Sequence, residues 1–160
     1  MIRLGKLTDY GLLLMSQMAR SPQAEPHTAR ELAVKCGLPL PTVSKLLKLL
    51  LQGGLLASNR GIRGGYKLVR EPNLISLNEI ITALEGRPAL TECSTEITGL
   101  CDLEPSCPIR DNQRIISQVV RGALEKVMLA DLTKPMQLTA LRDRHGDLVP
   151  LVSLAPGRMQ

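Results

Sequence analysis

Residues 28–70, TARELAVKCGLPLPTVSKLLKLLLQGGLLASNRGIRGGYKLVR, decide the fold. Thr28 followed three residues later by Glu31 is a capping box for the short helix ARELAVKC, and Gly37 supplies its stop. A second helix is expected to begin near Pro41, because proline's missing donor costs nothing in a first helical turn. Val43, Leu46, Leu47 and Leu50 fall on one face of that helix, and Thr42, Ser44, Lys45 and Lys48 on the other. Two short helices joined by the turn GLPLP, the second presenting hydroxyls and lysines, form the pattern of a helix-turn-helix. LLASNR and YKLVR then alternate apolar and polar residues on either side of the glycine-rich tip GIRGG, which predicts a β-hairpin. A hairpin directly after such a helix is a wing.

Outward from this stretch, Leu7, Tyr10, Leu13, Leu14 and Met18 recur at helical spacing and predict a helix over 8–20 capped by Thr8. SPQAEPHT lacks periodicity and contains two prolines, so it is expected to be a loop. SLNEIITALEG predicts a further helix, with Ser76 or Asn78 near its start and Gly86 at its end. Prolines, Gly99 and three cysteines interrupt any period between 88 and 108. From Ile109 the pairs Ile115/Ile116, Val119/Val120, Ala123/Leu124 and Val127/Met128 repeat every four residues and define a helix with an apolar stripe. In so short a chain that stripe has little surface to cover it, and the same helix of a second subunit is the economical partner. The expected architecture is mainly α. It comprises a winged helix-turn-helix domain over 1–87 with a small β-hairpin wing, a cysteine-rich loop over 88–108, a long dimerisation helix over 109–134 and a flexible tail over 135–160.

Charge follows the same division. Residues 1–87 carry 12 Lys and Arg against 6 Asp and Glu, whereas 88–135 carry 5 against 7. The positive charge is therefore concentrated where a helix-turn-helix would meet a polyanion. Major-groove reading needs a helix packed on its inner side and armed with base- and phosphate-reaching groups on its outer side. Pro41, Thr42, Ser44, Lys45 and Lys48 satisfy this on the second helix, with Arg60, Arg63 and Gly64 at the wing tip for phosphates or the minor groove. The absence of Trp and Phe argues against stacking on single-stranded nucleic acid, leaving double-stranded operator DNA as the expected partner. The tip lacks the G-x-x-x-x-G-K-[ST] spacing of a nucleotide-binding loop, and no Ser/His/Asp or His-x-E spacing suggests catalysis, so no enzyme is expected. No apolar run reaches the ~18–20 residues that span a bilayer, and the start lacks a secretory pattern; a cytoplasmic protein without membrane partners is expected.

Cys93, Cys101 and Cys107 share one polar loop with the spacing C-x7-C-x5-C. Three thiolates on such a segment can converge on an iron-sulfur cluster. They can also serve as a thiol redox switch, bind zinc or remain free thiols. Cys36 stands apart and is expected to pack in the core.

The start RLGKLTDYGL, the run LPLPTVSKLLKLLLQGGLLASNRGIRGGYKL, the helix SLNEIITALEG and the cysteine loop followed by CPIR together resemble the IscR-like winged-helix regulators. That family includes iron-sulfur-biogenesis regulators and nitric-oxide sensors. The resemblance spans residues 2 to about 133, is most specific at the wing signature S-x-R-G-x-x-G-G-Y, and is closest to regulators of SUF iron-sulfur assembly. It implies a homodimeric transcription regulator, a repressor in the expected sense, whose operator affinity depends on a cluster held by Cys93, Cys101 and Cys107. A 2Fe-2S cluster is expected ahead of 4Fe-4S. Some members place a histidine ligand three residues after the last cysteine; here that residue is Arg110, which has no lone pair to donate. In others an acidic residue of the partner subunit's first helix completes the site, and Asp9 occupies that position. Glu92, Glu96, Asp102, Glu104, His27 and His145 are its rivals.

Overall fold

The computed structural model describes residues 4–135 except 22–24, 60, 62, 63, 96 and 98. Among these it is mainly helical, with five α-helices and one two-stranded hairpin: α1 (Lys6–Ala19), α2 (Ala29–Cys36), α3 (Leu40–Gln52), β1 (Leu56–Asn59), β2 (Gly65–Leu68), α4 (Leu77–Glu85) and α5 (Arg110–Glu125). Short 3-10 turns lie at Pro72–Leu74, Glu92–Ser94, Glu104–Ser106 and Leu129–Thr133. The expected tail from 136 onward lies outside the described residues.

The helix-turn-helix forms for the reasons its residues suggest. Thr28 and Glu31 close the capping box of α2 with reciprocal bonds of 3.2 and 2.9 Å. Gly37, at φ 64°, then lets Leu38 donate back to the Ala33 carbonyl at 3.0 Å while its own N–H reaches Val34. This is a paired C-terminal cap that requires a left-handed residue. Pro41 sits in the first turn of α3. Ser76 and Glu79 form a second capping box at the start of α4, which settles the choice between Ser76 and Asn78.

Leucine and isoleucine build the core, since the chain has no Phe or Trp. Leu14, Met15, Leu32, Val43, Leu46, Leu47, Leu50, Ile75, Ile80 and Leu129 are fully buried in one cluster shared by α1 to α4. Each such side chain contributes about 1.5–3 kcal/mol of burial. α1 and α4 approach so closely that a Cβ on Gly11 would overlap the Leu84 side chain. Cys36 is half-buried and packs on the core, where burial pushes its thiol pKa up against the opposing pull of Lys35.

Two expectations are corrected. α1 starts at Lys6, not Thr8, and the Gly5 carbonyl accepts the first helical N–H groups, from Thr8 at 3.0 Å and Asp9 at 3.1 Å. Thr8 lies inside the helix, fully buried. α5 ends at Glu125 rather than 134. The apolar period runs on through Val127 and Met128, but there the backbone leaves the helix to pair with the strand-like entry to α4. Leu77 donates to Val127 at 2.7 Å and Leu129 to Ile75 at 2.8 Å. Leu129 then enters the core of the amino-terminal helices, a better burial than one more turn of α5 offers.

Candidate nucleic-acid interface and cysteine loop

α3 separates its two faces sharply. Val43, Leu46, Leu47 and Leu50 are wholly inaccessible, while Pro41, Ser44, Lys45 and Lys48 are exposed and Thr42 is half-buried. The five α3 residues expected to meet DNA therefore lie on a supported helix, four of them exposed. The wing follows within a few residues as an antiparallel pair with Leu56 opposite Leu68 and Asn59 opposite Gly65. Gly64 is half-buried immediately before the return strand; Arg60 and Arg63 lie outside the described residues.

The wing has a support that sequence reading missed. His27, in the segment expected to be a loop, exchanges two backbone hydrogen bonds of 2.8 Å with Tyr66 and so adds a third extended segment beside β2. A Cβ on Gly65 would stand 2.7 Å from the His27 carbonyl oxygen, so only glycine permits this approach. The His27 side chain is buried. Burial, followed by the neighbouring Lys35, lowers its pKa against the weaker pull of Glu31 and Glu25. The available sequence signal was a glycine doublet at the base of a predicted strand, which often marks a close backbone approach.

Behind the wing, Glu79 joins three segments. It accepts from Arg70 Nη2 at 2.6 Å and from the Ser76 backbone N–H at 2.8 Å, while Arg70 Nη1 holds the Leu74 carbonyl at 3.0 Å. Burial opposes ionisation of Glu79, but the hydrogen bonds from Ser76 and Arg70 outweigh it and hold the carboxyl below its ordinary range.

The cysteine loop is fastened to α5 by a row of polar side chains. Arg114, Ser117 and Arg121 fall on one helical face. Arg114 Nε donates to the Cys93 carbonyl at 2.9 Å, Ser117 Oγ accepts from the Leu90 N–H at 3.2 Å, and Arg121 donates to the Pro88 carbonyl at 3.2 Å. Arg114 Nη2 also binds Glu104 at 2.7 Å. Cys93 is buried in its 3-10 turn with Thr91 Oγ1 3.3 Å from its sulfur, whereas Cys101 and Cys107 are half-buried. The three thiols share the loop, but among the described residues no three His, Cys, Asp or Glu side chains are close enough to hold a metal ion.

The rivals for a fourth ligand separate on position. Asp9 is exposed in the first turn of α1, and Arg110 pairs with Asp111 at 3.2 Å. Glu104 is committed to Arg114, His27 is buried at the wing, and Glu92 and Asp102 are exposed. Glu96 and His145 lie outside the described residues.

α5 reverses the usual arrangement of an amphipathic surface helix. Arg114, Ser117 and Arg121 meet the rest of the chain, with Val120 and Leu124 half-buried, while Ile115, Ile116 and Val119 are 56, 48 and 67 % exposed. Among the described residues no helix is long and apolar enough to cross a membrane.

Comparison with known proteins agrees with this geometry. The chain is 28% identical over 131 residues to the transcriptional regulator NsrR of Shouchella clausii, covering 82% of this chain and 88% of that protein. It is 26% identical over 144 residues to the transcriptional regulator IscR of Cronobacter sakazakii, covering 90% and 88%. A shorter match of 33% over 84 residues, to a helix-turn-helix-type protein of Synechocystis, spans 52% of this chain and 57% of that one. Among solved structures, CymR, the global cysteine regulator of B. subtilis, superposes with a TM-score of 0.63 at 28% identity, covering 83% of this chain and 97% of that chain. Residues 4–135 match the Rrf2 family, described as iron-dependent transcriptional regulators. With its helix-turn-helix and wing in place, the chain belongs to the Rrf2 family, and is a transcriptional regulator rather than an enzyme.

Proposed function

We propose that this regulator is a homodimeric repressor whose affinity for operator DNA is set by an iron-sulfur cluster carried on the 88–108 loop, and that it governs iron-sulfur assembly genes. The observation that carries the reading is the placement of Cys93, Cys101 and Cys107 on one loop fastened along α5, the helix whose apolar side is left uncovered. The donor chemistry fits. Three soft thiolates suit iron-sulfur ligation, and burial of Cys93 gives one of them a sheltered position. Such a cluster supplies a centre sensitive to redox state, oxygen or nitric oxide.

The chain's own residues supply the rest. α5 of one subunit, through Ile115, Ile116 and Val119, packs on its counterpart, and Asp9 of the partner subunit offers the fourth ligand that Arg110 cannot. A carboxylate in that position leaves one corner of the site less firmly held than three thiolates would. Ordering of the loop moves α5 relative to α4, and through Leu129 it bears on the core under α3. Half-sites lie about one helical turn apart, so a small rotation of one subunit takes Thr42, Ser44 and Lys45 of both recognition helices out of register with the bases.

Anaerobic purification with a visible spectrum and iron and sulfide counts tests the reading, paired with promoter binding at low salt. A coloured dimer with two irons per subunit and cluster-dependent DNA affinity is expected. A colourless protein that takes up neither iron nor sulfide after reconstitution, yet binds DNA according to thiol oxidation or zinc, replaces the cluster with a thiol or zinc switch. Asp9→Ala should alter the spectrum or shorten the life of the cluster; an unchanged spectrum and lifetime would redirect the fourth position to Glu92 or Asp102.

A further inference from the structure

We infer that Arg114 is a positioning residue for the cysteine loop, a two-pronged clip with Glu104 that holds Cys93 and the turn leading to Cys107 in register on α5 before any metal arrives. The inference rests on the cluster reading above and adds a residue to it. One prong is Nε of Arg114, which donates to the backbone carbonyl of Cys93 at 2.9 Å; the other is Nη2, which donates to Glu104 at 2.7 Å. The two acceptors lie 21 and 10 residues from Arg114 in sequence, so a single guanidinium ties both halves of the loop to one point on the helix.

The chemistry of the groups explains why arginine is needed. Its planar fork presents several N–H donors in fixed directions and can serve two acceptors at once, whereas a lysine ammonium is a single flexible point charge. The Glu104 carboxylate is largely buried, with its side chain 14% exposed, so its negative charge requires this partner. Thr91 and Ser94 brace the same turn from within, their hydroxyls 2.6 Å apart, with Thr91 Oγ1 also beside the Cys93 sulfur. The arrangement limits the ordering that cluster assembly still requires: the three thiols have yet to converge, but two of the segments that carry them are already anchored to the helix. The guanidinium also leaves a positive charge beside a loop that must carry several thiolates.

The test uses the cluster-free and the reconstituted full-length protein. In the cluster-free protein, maleimide labelling followed by mass spectrometry reports how often Cys93 is uncovered, with the half-buried Cys36, remote in sequence, as internal clock. Arg114→Gln should speed Cys93 labelling about tenfold relative to Cys36, the scale expected for losing a charge-assisted bond. Arg114→Lys, keeping the charge but not the fork, should fall between. In the reconstituted protein the same variants should change the visible circular dichroism of the cluster and shorten its life under oxygen in the same order. Cys93 labelling within twofold of wild type in Arg114→Gln overturns the clip. Faster labelling with an unaltered cluster dichroism and lifetime overturns the positioning role and leaves Arg114 as a structural tie. If wild type itself takes up no iron or sulfide, the cluster reading and the positioning role both fall, while the labelling still decides whether the clip exists.

Discussion

The backbones of His27 and Tyr66 exchange a reciprocal pair of 2.8 Å hydrogen bonds, so the wing is anchored to the segment that leads into the helix-turn-helix. A free two-stranded hairpin is marginally stable in water. The third segment gives β2 a partner on its second edge, and it couples the wing to the Thr28 cap one residue away.

Gly65→Ala tests this anchoring. The new methyl group would sit 2.7 Å from the His27 carbonyl oxygen and 2.9 Å from its carbon, both backbone atoms that cannot turn aside. Forced separation should cost about 1–3 kcal/mol. Denaturant unfolding should show a lower midpoint, and the Tyr66 and His27 amides should lose exchange protection. An unchanged midpoint with retained protection would show that the approach is looser than described.

Protonation of His27 should act on the same joint. Its folded-state pKa is lowered by burial and then by Lys35, so the unfolded chain binds the proton more readily. Stability contributed by the neutral ring is present above the unfolded value of about 6.5 and is lost as pH falls from there through the folded value. Mild acidification should therefore reduce protection of the Tyr66 amide, and His27→Gln should flatten that dependence between pH 5 and pH 7. A dependence as steep in His27→Gln as in wild type would assign the effect to other groups.

Glu79 is the corresponding joint behind the wing. Glu79→Ala removes the acceptor of Arg70 and the Ser76 backbone N–H together. Because the ion pair is 40 % exposed on both sides, most of the loss belongs to the cap, and a destabilisation of about 1–2 kcal/mol is expected in chemical unfolding. The depressed pKa acts in the same sense as that of His27 but in a more acidic window: its contribution is present above the ordinary carboxylate range and disappears as pH falls through the folded value. Wild type should lose stability on acidification where Glu79→Gln does not. Parallel pH profiles for the two proteins would count against the joint.

The helices were legible because their signals are local. The capping box at Thr28/Glu31, the stop at Gly37 and the one-sided placing of Val43, Leu46, Leu47 and Leu50 on α3 each lie within two to three turns, whereas the choice of Ser76 over Asn78 as the cap of α4 waited for the structure. What escaped depends on partners distant in sequence. The end of α5 at Glu125 follows from pairing of Val127 and Leu129 with Leu77 and Ile75, about fifty residues away, which no helical period can reveal. Thr8 read as a cap because it is a hydroxyl before an apolar run, yet the Gly5 carbonyl was free to start the helix earlier. The loop cysteines were visible as a set, whereas Arg114, which ties two of their segments together, had no spacing to mark it.

On the recognition helix, Lys45 and Lys48 should differ from Ser44 in how they fail. If the lysines meet phosphates, Lys45→Ala or Lys48→Ala should weaken binding on all sequences and shallow the salt dependence by about one unit of slope. Ser44→Ala should instead relax discrimination between operator and mismatched DNA with the slope preserved. A salt titration by fluorescence anisotropy separates these outcomes. Unchanged slopes in both lysine variants would move the phosphate contacts to the wing.

The most consequential prediction concerns Val119. It is 67 % exposed on the outward side of α5, flanked by Ile115 and Ile116, while Arg114, Ser117 and Arg121 occupy the inward side. A contiguous outward apolar stripe is costly for a monomer in water and is satisfied by a two-fold partner presenting the same surface. If α5 pairs across this stripe as proposed, Val119→Glu places a charge in the middle of the seam and should convert a dimer to a monomer in sedimentation. DNA affinity should fall sharply, because one half-site contributes only part of the total binding. The helical content of each chain should change little, since Val119 makes no contribution to the internal core. A dimer that persists in Val119→Glu, or a monomeric wild type, would require a different cover for this face and would count against the proposal that Asp9 reaches the cysteine loop of a second subunit.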